Sequence, residues 1–331
     1  MKTRTKQHSV LSYALCFCLL VTLLTVGCQP TEKTIEPQAG TVKTNGITIA
    51  YESFGDSNNE TIILIQGIGA TLLNYPTEFC QQLAAKGYRV IRFDNRDIGL
   101  SSHLDSLGQP NWEALFPFIK TCNPAPLPYT LLDMAKDVIG LMDALQIQKA
   151  HIAGASMGGA IAQLVVIHFP DRVLTLTSMS ASSGNPNLPP GDSTALAAMS
   201  TPPPVTTNTD TLVNYLVNIY KVLGGVDDEQ TLRKRALGHI NRSWYPEGLA
   251  RQAAAVTIGD NCDRRPDLAK IKVPTLIIHG TADPLVTPES GKEVVATIPN
   301  AQLCLVDSMG HDISLRYVDK LVSCMVEIIR K

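Results

Sequence analysis

The sequence predicts an α/β fold with a mostly parallel central sheet, helices on both of its faces, and a helical cap inserted in the second half of the chain. Three observations carry this. Residues 61–65, Thr-Ile-Ile-Leu-Ile, are a continuous β-rich apolar run, the pattern of a parallel strand buried on both faces. Residues 150–155 are a second apolar run, and it passes through Ser156 straight into a helical stripe of Ile161, Leu164, Val165 and His168. Strand and helix signals then alternate to the C-terminus, except over about residues 180–257. There Pro189, Pro190, Pro202, Pro203 and Pro204 stand among Ser, Thr and Asn, and helical stretches near 211–223 and 228–240 follow.

A chain of 331 residues suits one large domain with an insertion or two modest domains. Its hydrophobic content of 44% suffices for a sizeable core. The net charge of -2 and a pI near 6.4 point away from a nucleic-acid partner and from a polybasic membrane patch.

The first residues differ in kind from the rest. Lys2, Arg4 and Lys6 precede an uncharged run over 7–30 whose apolar centre is 11–26, which reads as a signal peptide over residues 1–27. Its end, Leu24-Thr25-Val26-Gly27-Cys28, resembles a bacterial lipobox, with Thr25 where leucine is usual, and implies lipidation of Cys28. An uncleaved anchor helix is the alternative, since the run approaches the 18 to 20 residues or so that span a bilayer. Either way the body is expected to be exported and held at a membrane. By resemblance to enterobacterial sorting, Gln29 favours the outer membrane, facing the periplasm. Cleavage would take the net charge to about -5. Residues 28–40 then form a polar tether with two prolines.

The body begins at residue 41. Residues 41–54 alternate around Asn45-Gly46, a hairpin with a tight turn. The strand at 61–65 leaves through Gln66-Gly67-Ile68-Gly69, a glycine-rich exit suited to presenting a backbone donor. A helix is expected over about 76–86, stopped by Gly87, and a strand over 88–93. In the polar stretch 94–102, Asp94 and Arg96 are read as braces for a loop beside the site. Residues 103–128, with Trp112, Phe116 and Phe118, form a long loop read as part of the substrate entrance. Thr130 and Asp133 open a helix whose stripe of Leu131, Met134, Val138, Leu141, Met142 and Leu145 is core. After the second apolar run a strand is expected over 173–179, then the cap, whose Leu212, Tyr215, Ile219 and Trp244 are candidates to shape a substrate. The strand rhythm returns within 274–286, where Asp283 sits just past a strand end, followed by a helix near 289–298 and a strand at 301–306. His311 lies in the next loop. A terminal helix repeats Leu315, Val318, Leu321, Val322, Met325 and Ile329 on one face.

Gly154-Ala155-Ser156-Met157-Gly158 is the stretch that carries chemistry. Glycines two residues either side of a serine permit a sharp strand-to-helix turn that lifts the hydroxyl clear of the sheet. The turn also puts the Met157 amide among the unpaired donors of a helix N-terminus, where negative charge is stabilised. A partner donor is expected from the Ile68 amide, with Gly67 the alternative.

Ser156, Asp283 and His311 stand in the chain order of the α/β-hydrolases, and nearly everything after residue 41 resembles that superfamily. More narrowly, residues 92–101 (Arg-Phe-Asp-Asn-Arg-Asp-Ile-Gly-Leu-Ser) and 75–79 (Tyr-Pro-Thr-Glu-Phe) resemble serine esterases similar to aclacinomycin methylesterase. Many of those relatives have His-Gly where this chain has Gln66-Gly67. The resemblance implies a domain over residues 41–331 that hydrolyses a small-molecule carboxylic ester. Ser156 would be nucleophile, His311 base and Asp283 the acid orienting it, with no cofactor or metal. An acyltransferase or perhydrolase, a carbon–carbon bond hydrolase, and a catalytically silent binding lipoprotein remain alternatives. In the resembling esterases the segment matching residues 259–264 runs from Gly-Asp to Arg without a cysteine, so Cys262 and Cys122 look like an added pair and a possible disulfide. Cys80, Cys304 and Cys324 are expected to be reduced core residues.

Overall fold

The computed structural model describes residues 35–331 apart from 120, 122–124 and 260–261. The expected signal peptide, Cys28, most of the tether and Cys122 therefore lie outside the described residues. Among the described residues eight strands form one sheet: β1 (Gln38–Thr44), β2 (Ile47–Phe54), β3 (Thr61–Ile65), β4 (Arg89–Phe93), β5 (Ala150–Ala155), β6 (Val173–Met179), β7 (Thr275–Gly280) and β8 (Gln302–Val306). Their order is β1-β2-β4-β3-β5-β6-β7-β8. The β1–β2 and β2–β4 pairs are antiparallel and every later pair is parallel. Asn45 at φ 48° and Gly46 at φ 77° make the left-handed pair that a two-residue hairpin turn needs. The chain runs from β3 to β4 on one side and from β4 to β5 on the other. The order therefore reverses beside β3, and the crevice at the strand ends there is where open α/β sheets bind ligands.

The longer helices are α1 (Thr77–Ala85), α2 (Leu131–Ala144), α3 (Met157–His168), α4 (Ser193–Ser200), α5 (Thr209–Val222), α6 (Glu229–Arg242), α7 (Pro246–Gly259), α8 (Pro288–Thr297) and α9 (Val318–Ile329). Two apolar clusters cover the two faces of the sheet. Ile63, Ile65 and Ile152 pack with Leu141 and Val138 of α2 and Ile161 and Val165 of α3 on one face. Ile62, Leu64 and Ile278 pack with Phe79 and Leu83 of α1 and Leu321 and Met325 of α9 on the other. The stripes read from 3.6-residue periodicity are the faces that bury, except at two ends: His168 closes α3 exposed, and Leu315 lies exposed in a short turn before α9 rather than on it. α2 opens with the expected reciprocal cap, in which Thr130 and Asp133 satisfy each other's backbone amides. No helix of the described residues is long and apolar enough to cross a membrane.

The cap is α4 to α7, inserted between β6 and β7. Its α5 and α6 match the expected stretches. α7 has no clean apolar stripe to announce it, because Arg251 and Gln252 share its buried face with Gly248, Ala254, Ala255 and Ile258.

One cysteine expectation is corrected. Cys304 and Cys324 are not reduced: they form a disulfide, with α-carbons 6.6 Å apart, that staples β8 to α9 across the sheet edge. Each sits within an otherwise apolar pattern, and only the packing of α9 on the edge strand brings them together. Closing a loop of 20 residues is worth about 3 kcal/mol in the chain-entropy picture. Cys80 is buried and free as expected. Cys262 is itself disulfide-bonded.

Candidate active site

The loops that follow β3, β5, β7 and β8 meet over the ends of those strands. Ser156 occupies the turn from β5 into α3 at φ 55°, ψ -123°, a conformation that a side-chain-bearing residue holds only under constraint from its surroundings. The constraint is visible in its neighbours. A Cβ on Gly154 would lie 2.0 Å from the Gly158 carbonyl oxygen, and one on Gly158 would lie 2.1 Å from that of Ile65. Neither position admits any other residue without moving backbone. The Ser156 amide donates to the Met179 carbonyl at 2.9 Å, which ties the turn to β6. Met157 follows as the first residue of α3, so its amide has no helical acceptor.

The exit of β3 lies against this turn. A Cβ on Gly67 would stand 3.5 Å from Ser156 Cβ. The Asn95 side chain donates to the Gln66 carbonyl at 3.1 Å, and the Gly69 amide donates to Gln252 Oε1 of α7 at 2.8 Å. A cap residue thus braces the loop that carries Gly67 and Ile68.

Past β7, Asp283 accepts the amides of Leu285 and Val286, both at 2.9 Å, and a hydrogen bond from His311 Nδ1 at 2.8 Å. His279 Nε2 stands 3.5 Å from the same carboxylate and donates its shorter bond, 2.8 Å, to the Val286 carbonyl. Burial alone would raise the Asp283 pKa. The His311 charge and the bonds from His279, His311 and Val286 outweigh it and hold the carboxyl well below the usual carboxylate range. The His311 amide donates to the Leu223 carbonyl at 2.7 Å, anchoring its loop to the end of α5. With Nδ1 donating to Asp283, Nε2 is the ring nitrogen left to accept.

Ser156 and His311 line one cavity of about 420 Å³ beneath the cap. No hydrogen bond joins them among the described residues; such bonds are commonly long before substrate arrives. Of the cap candidates, Tyr215, Ile219 and Trp244 line the cavity, and the rings of Tyr215 and Trp244 meet edge-on at 6.2 Å. Leu212 does not: it lies in the first turn of α5, before the stretch that reaches the cavity, and is buried. Trp112 and Ile68 also line it, whereas Phe116 is 63% exposed and turned away. Among the described residues no cluster of three metal-ligating side chains is present.

The polar residues around the site divide into partners that sequence reading pairs only in part. Asp94 accepts the amides of Leu72 and Leu100 and the guanidinium of Arg242, and Arg96 pairs with Asp137 of α2. Both brace loops, as expected. Asp97 forms a fully buried two-bond pair with Arg251 of α7. Asp312, next to His311, is taken by Arg235 of α6 and by Ser314. The cap arginines escaped sequence reading, although Arg235, His239 and Arg242 recur at i, i+4, i+7 on one face of α6 and could have been read as a polar face turned inward.

Residues 60–316 match the alpha/beta hydrolase fold family. A rhodomycin D methylesterase of Streptomyces sp. (strain C5) is 27% identical over 300 residues, covering 84% of this chain and 94% of its own. A 2-hydroxy-6-oxononadienedioate/2-hydroxy-6-oxononatrienedioate hydrolase of Burkholderia vietnamiensis is 25% identical over 297 residues, covering 86% and 92%. In fold, the chain resembles the enol-lactonase of Burkholderia xenovorans LB400 with a TM-score of 0.66 at 24% identity, covering 88% of this chain and 100% of that one. Sheet order, the strained serine turn and the length of the family match agree: the chain belongs to the alpha/beta hydrolase fold family and is a hydrolase.

Proposed function

We propose that the protein is a serine carboxylic ester hydrolase acting through an acyl-enzyme, on an ester joining a bulky, uncharged, largely apolar acid to a small alcohol. The observation that carries this reading is the opening of the Ser156 turn and the Asp283-held His311 onto one cavity. Neutral serine is a weak nucleophile, so His311 Nε2 takes its proton as Oγ attacks the ester carbon and then returns it to the departing alcohol. Asp283 fixes the tautomer and stabilises the imidazolium. The amides of Met157 and of Ile68 (or Gly67) receive the oxyanion, each worth about 3 kcal/mol by comparison with other hydrolases. Water, activated by the same histidine, releases the acid.

An ester fits better than the carbon–carbon cleavage of dioates named for some relatives. Among the described residues no Lys or Arg lines the cavity, and its one acid, Asp312, is committed to Arg235. A dianion would lose its hydration there with no cation to replace it. The methylesterase relative is consistent with a small leaving alcohol. A panel of methyl esters of polycyclic acids, p-nitrophenyl butyrate and a vinylogous 1,5-diketone dioate tests this: ester cleavage should dominate. Dioate cleavage without ester cleavage would give the carbon–carbon reading, and no turnover of either would give the silent binding protein. Product analysis with added alcohol or peroxide separates hydrolysis from acyl transfer.

We also propose that the body is exported and held at a membrane by lipid on Cys28, in the outer membrane facing the periplasm. The disulfide between Cys304 and Cys324 and the bonded state of Cys262 support an oxidising compartment. Cys28→Ser is expected to accumulate as an unprocessed precursor; a mature N-terminus at any other residue rejects the assignment.

A further inference from the structure

Gln252 is a fully buried polar side chain on cap helix α7, and both ends of its amide are spent on the core. Its Oε1 accepts the Gly69 amide at 2.8 Å, and its Nε2 donates to the Arg96 carbonyl at 2.8 Å. The side chain cannot be turned round, because a backbone N–H only donates and a carbonyl only accepts. Arg96 is itself fixed to Asp137 of α2, and the preceding residue on α7, Arg251, is paired with Asp97. Two buried polar groups in succession therefore seat α7 on the core. Gln252 does not line the cavity, whereas Leu249, Ala250 and Ala253 of the same helix do. Whatever it contributes to a reaction there passes through Gly69.

Gly69 belongs to the turn that follows β3. The Ala70 amide reaches back to the Gly67 carbonyl across a long 3.4 Å, and Gly69 is at φ 65° while Ile68 keeps a negative φ, the pattern of a type II turn. Its type I counterpart has the central peptide, here Ile68–Gly69, turned over: ψ of the second residue swings from about 120° to about -30°, and φ of the third moves to about -90°. Glycine accepts both conformations, so the turn's own residues do not choose between them. The bond from the Gly69 amide to Gln252 does, since turning the peptide over points that amide away from the cap. A Cβ on Gly69 would lie 2.8 Å from a Leu249 methyl, so α7 also packs directly on this peptide. With the Gly69 amide spent, the Ile68 or Gly67 amide is left to meet an oxyanion.

We infer that Gln252 is a positioning residue: by holding the Ile68–Gly69 peptide it sets the direction of the oxyanion donor at the exit of β3, and so makes the seated cap helix part of the oxyanion hole. This rests on the serine ester-hydrolase reading for the reaction, and it adds that one of the two donors is set by the cap and not by the core alone. The Met157 amide needs no such hold, because it begins α3 and is fixed by the Ser156 turn. A donor displaced by about 1 Å costs up to about 10²-fold in rate, yet scarcely alters the binding of a neutral ground-state carbonyl.

An oxyanion mimic tests this without requiring turnover. Ser156 Oγ adds to the carbonyl carbon of phenethyl trifluoromethyl ketone, its proton passes to His311, and the ketone oxygen becomes the oxyanion; fluorine NMR on the full-length protein reads the adduct directly. In Gln252→Met, which keeps the length of the side chain and loses both bonds, the dissociation constant of the adduct should rise about tenfold or more. In Ser156→Ala, where the ketone binds without bonding, adding Gln252→Met should change its affinity by less than about twofold. With p-nitrophenyl butyrate, kcat should fall by about 10- to 100-fold while KM stays within about twofold. Should the Met variant fail to fold, Gln252→Asn, too short to reach the Gly69 amide and the Arg96 carbonyl together, should show the same split. An adduct as stable in the variant as in the unsubstituted protein, an equal loss of affinity in the Ser156→Ala background, or no adduct on the unsubstituted protein overturns the inference. An adduct that depends on Gln252 in a protein that cleaves no ester leaves the Gln252 assignment standing and removes the ester-hydrolase reading; ester cleavage that Gln252→Met leaves unchanged does the opposite.

Discussion

Ser156→Ala is expected to lower turnover of any ester the protein cleaves by about 10⁴-fold or more and to abolish labelling by a fluorophosphonate probe. The expectation comes from geometry. The turn at φ 55° is held by backbone contacts of Gly154 and Gly158 and by the Ser156 amide bonding to Met179, none of which involves the hydroxyl. Removing Oγ therefore deletes the nucleophile while leaving the turn, the adjacent amides and the cavity in place. Thermal stability should change little, which separates loss of chemistry from loss of fold. Ser180, Ser200 and Ser243 also line the cavity and supply an internal control. Mass-spectrometric recovery of the probe on any of them, rather than on Ser156, would sink the nucleophile assignment.

Local features of this site were legible because each is written in a short stretch of chain. The glycine spacing around Ser156 is enforced by contacts within the turn and with the adjoining end of β3, so five residues suffice to announce it. β3 reads as a central strand because a run buried on both faces cannot alternate. The positions of Asp283 and His311 just past strand ends follow from the same rhythm of strand and helix.

What stayed hidden depends on which distant elements meet. Arg235 and Asp312 are 77 residues apart, and Arg251 and Asp97 are 154 apart. No local pattern pairs them. Helix α7 was hidden for the same reason, since Arg251 and Gln252 break up its inward face and their partners, Asp97 and the Gly69 amide, lie on core loops. Cys304 and Cys324 looked like core residues because Cys304 is buried and Cys324 packs partly buried against the same cluster, and their bond records the docking of α9 on β8. His239 could be seen as a histidine on a helix; that its Nδ1 is spent on Thr71 is a fact of cap closure.

Two acids lie close to His311 in the fold, and the pair of variants Asp283→Asn and Asp312→Asn should fail in opposite ways. Asp283 accepts from His311 Nδ1 at 2.8 Å and is itself fixed by two amides. An Asn there cannot balance the imidazolium and favours the wrong tautomer, so kcat should fall by about 10⁴-fold with a modest change in stability. Because the Asp283 carboxyl is held well below the usual carboxylate range, its ionic contribution to stability is present at neutral pH and disappears only as the pH falls through that lowered value. Asp283 therefore stays charged in mild acid, and any activity lost there does not come from its protonation. Asp312 instead accepts two bonds from Arg235, at 2.5 and 3.1 Å, and one from Ser314 at 2.8 Å. Its Asn variant strands a guanidinium whose side chain is 11% exposed. Breaking such a pair from one side costs about 3 to 5 kcal/mol, which for a domain of this size lowers Tm by roughly 10 °C, while the surviving folded protein keeps most of its turnover. The double variant Arg235→Met/Asp312→Leu removes the stranded charge along with its partner and should recover much of that stability. If Asp312→Asn proved the inactive one and Asp283→Asn merely the less stable, the orienting acid would be Asp312, and the bond from His311 Nδ1 to Asp283 would be structural.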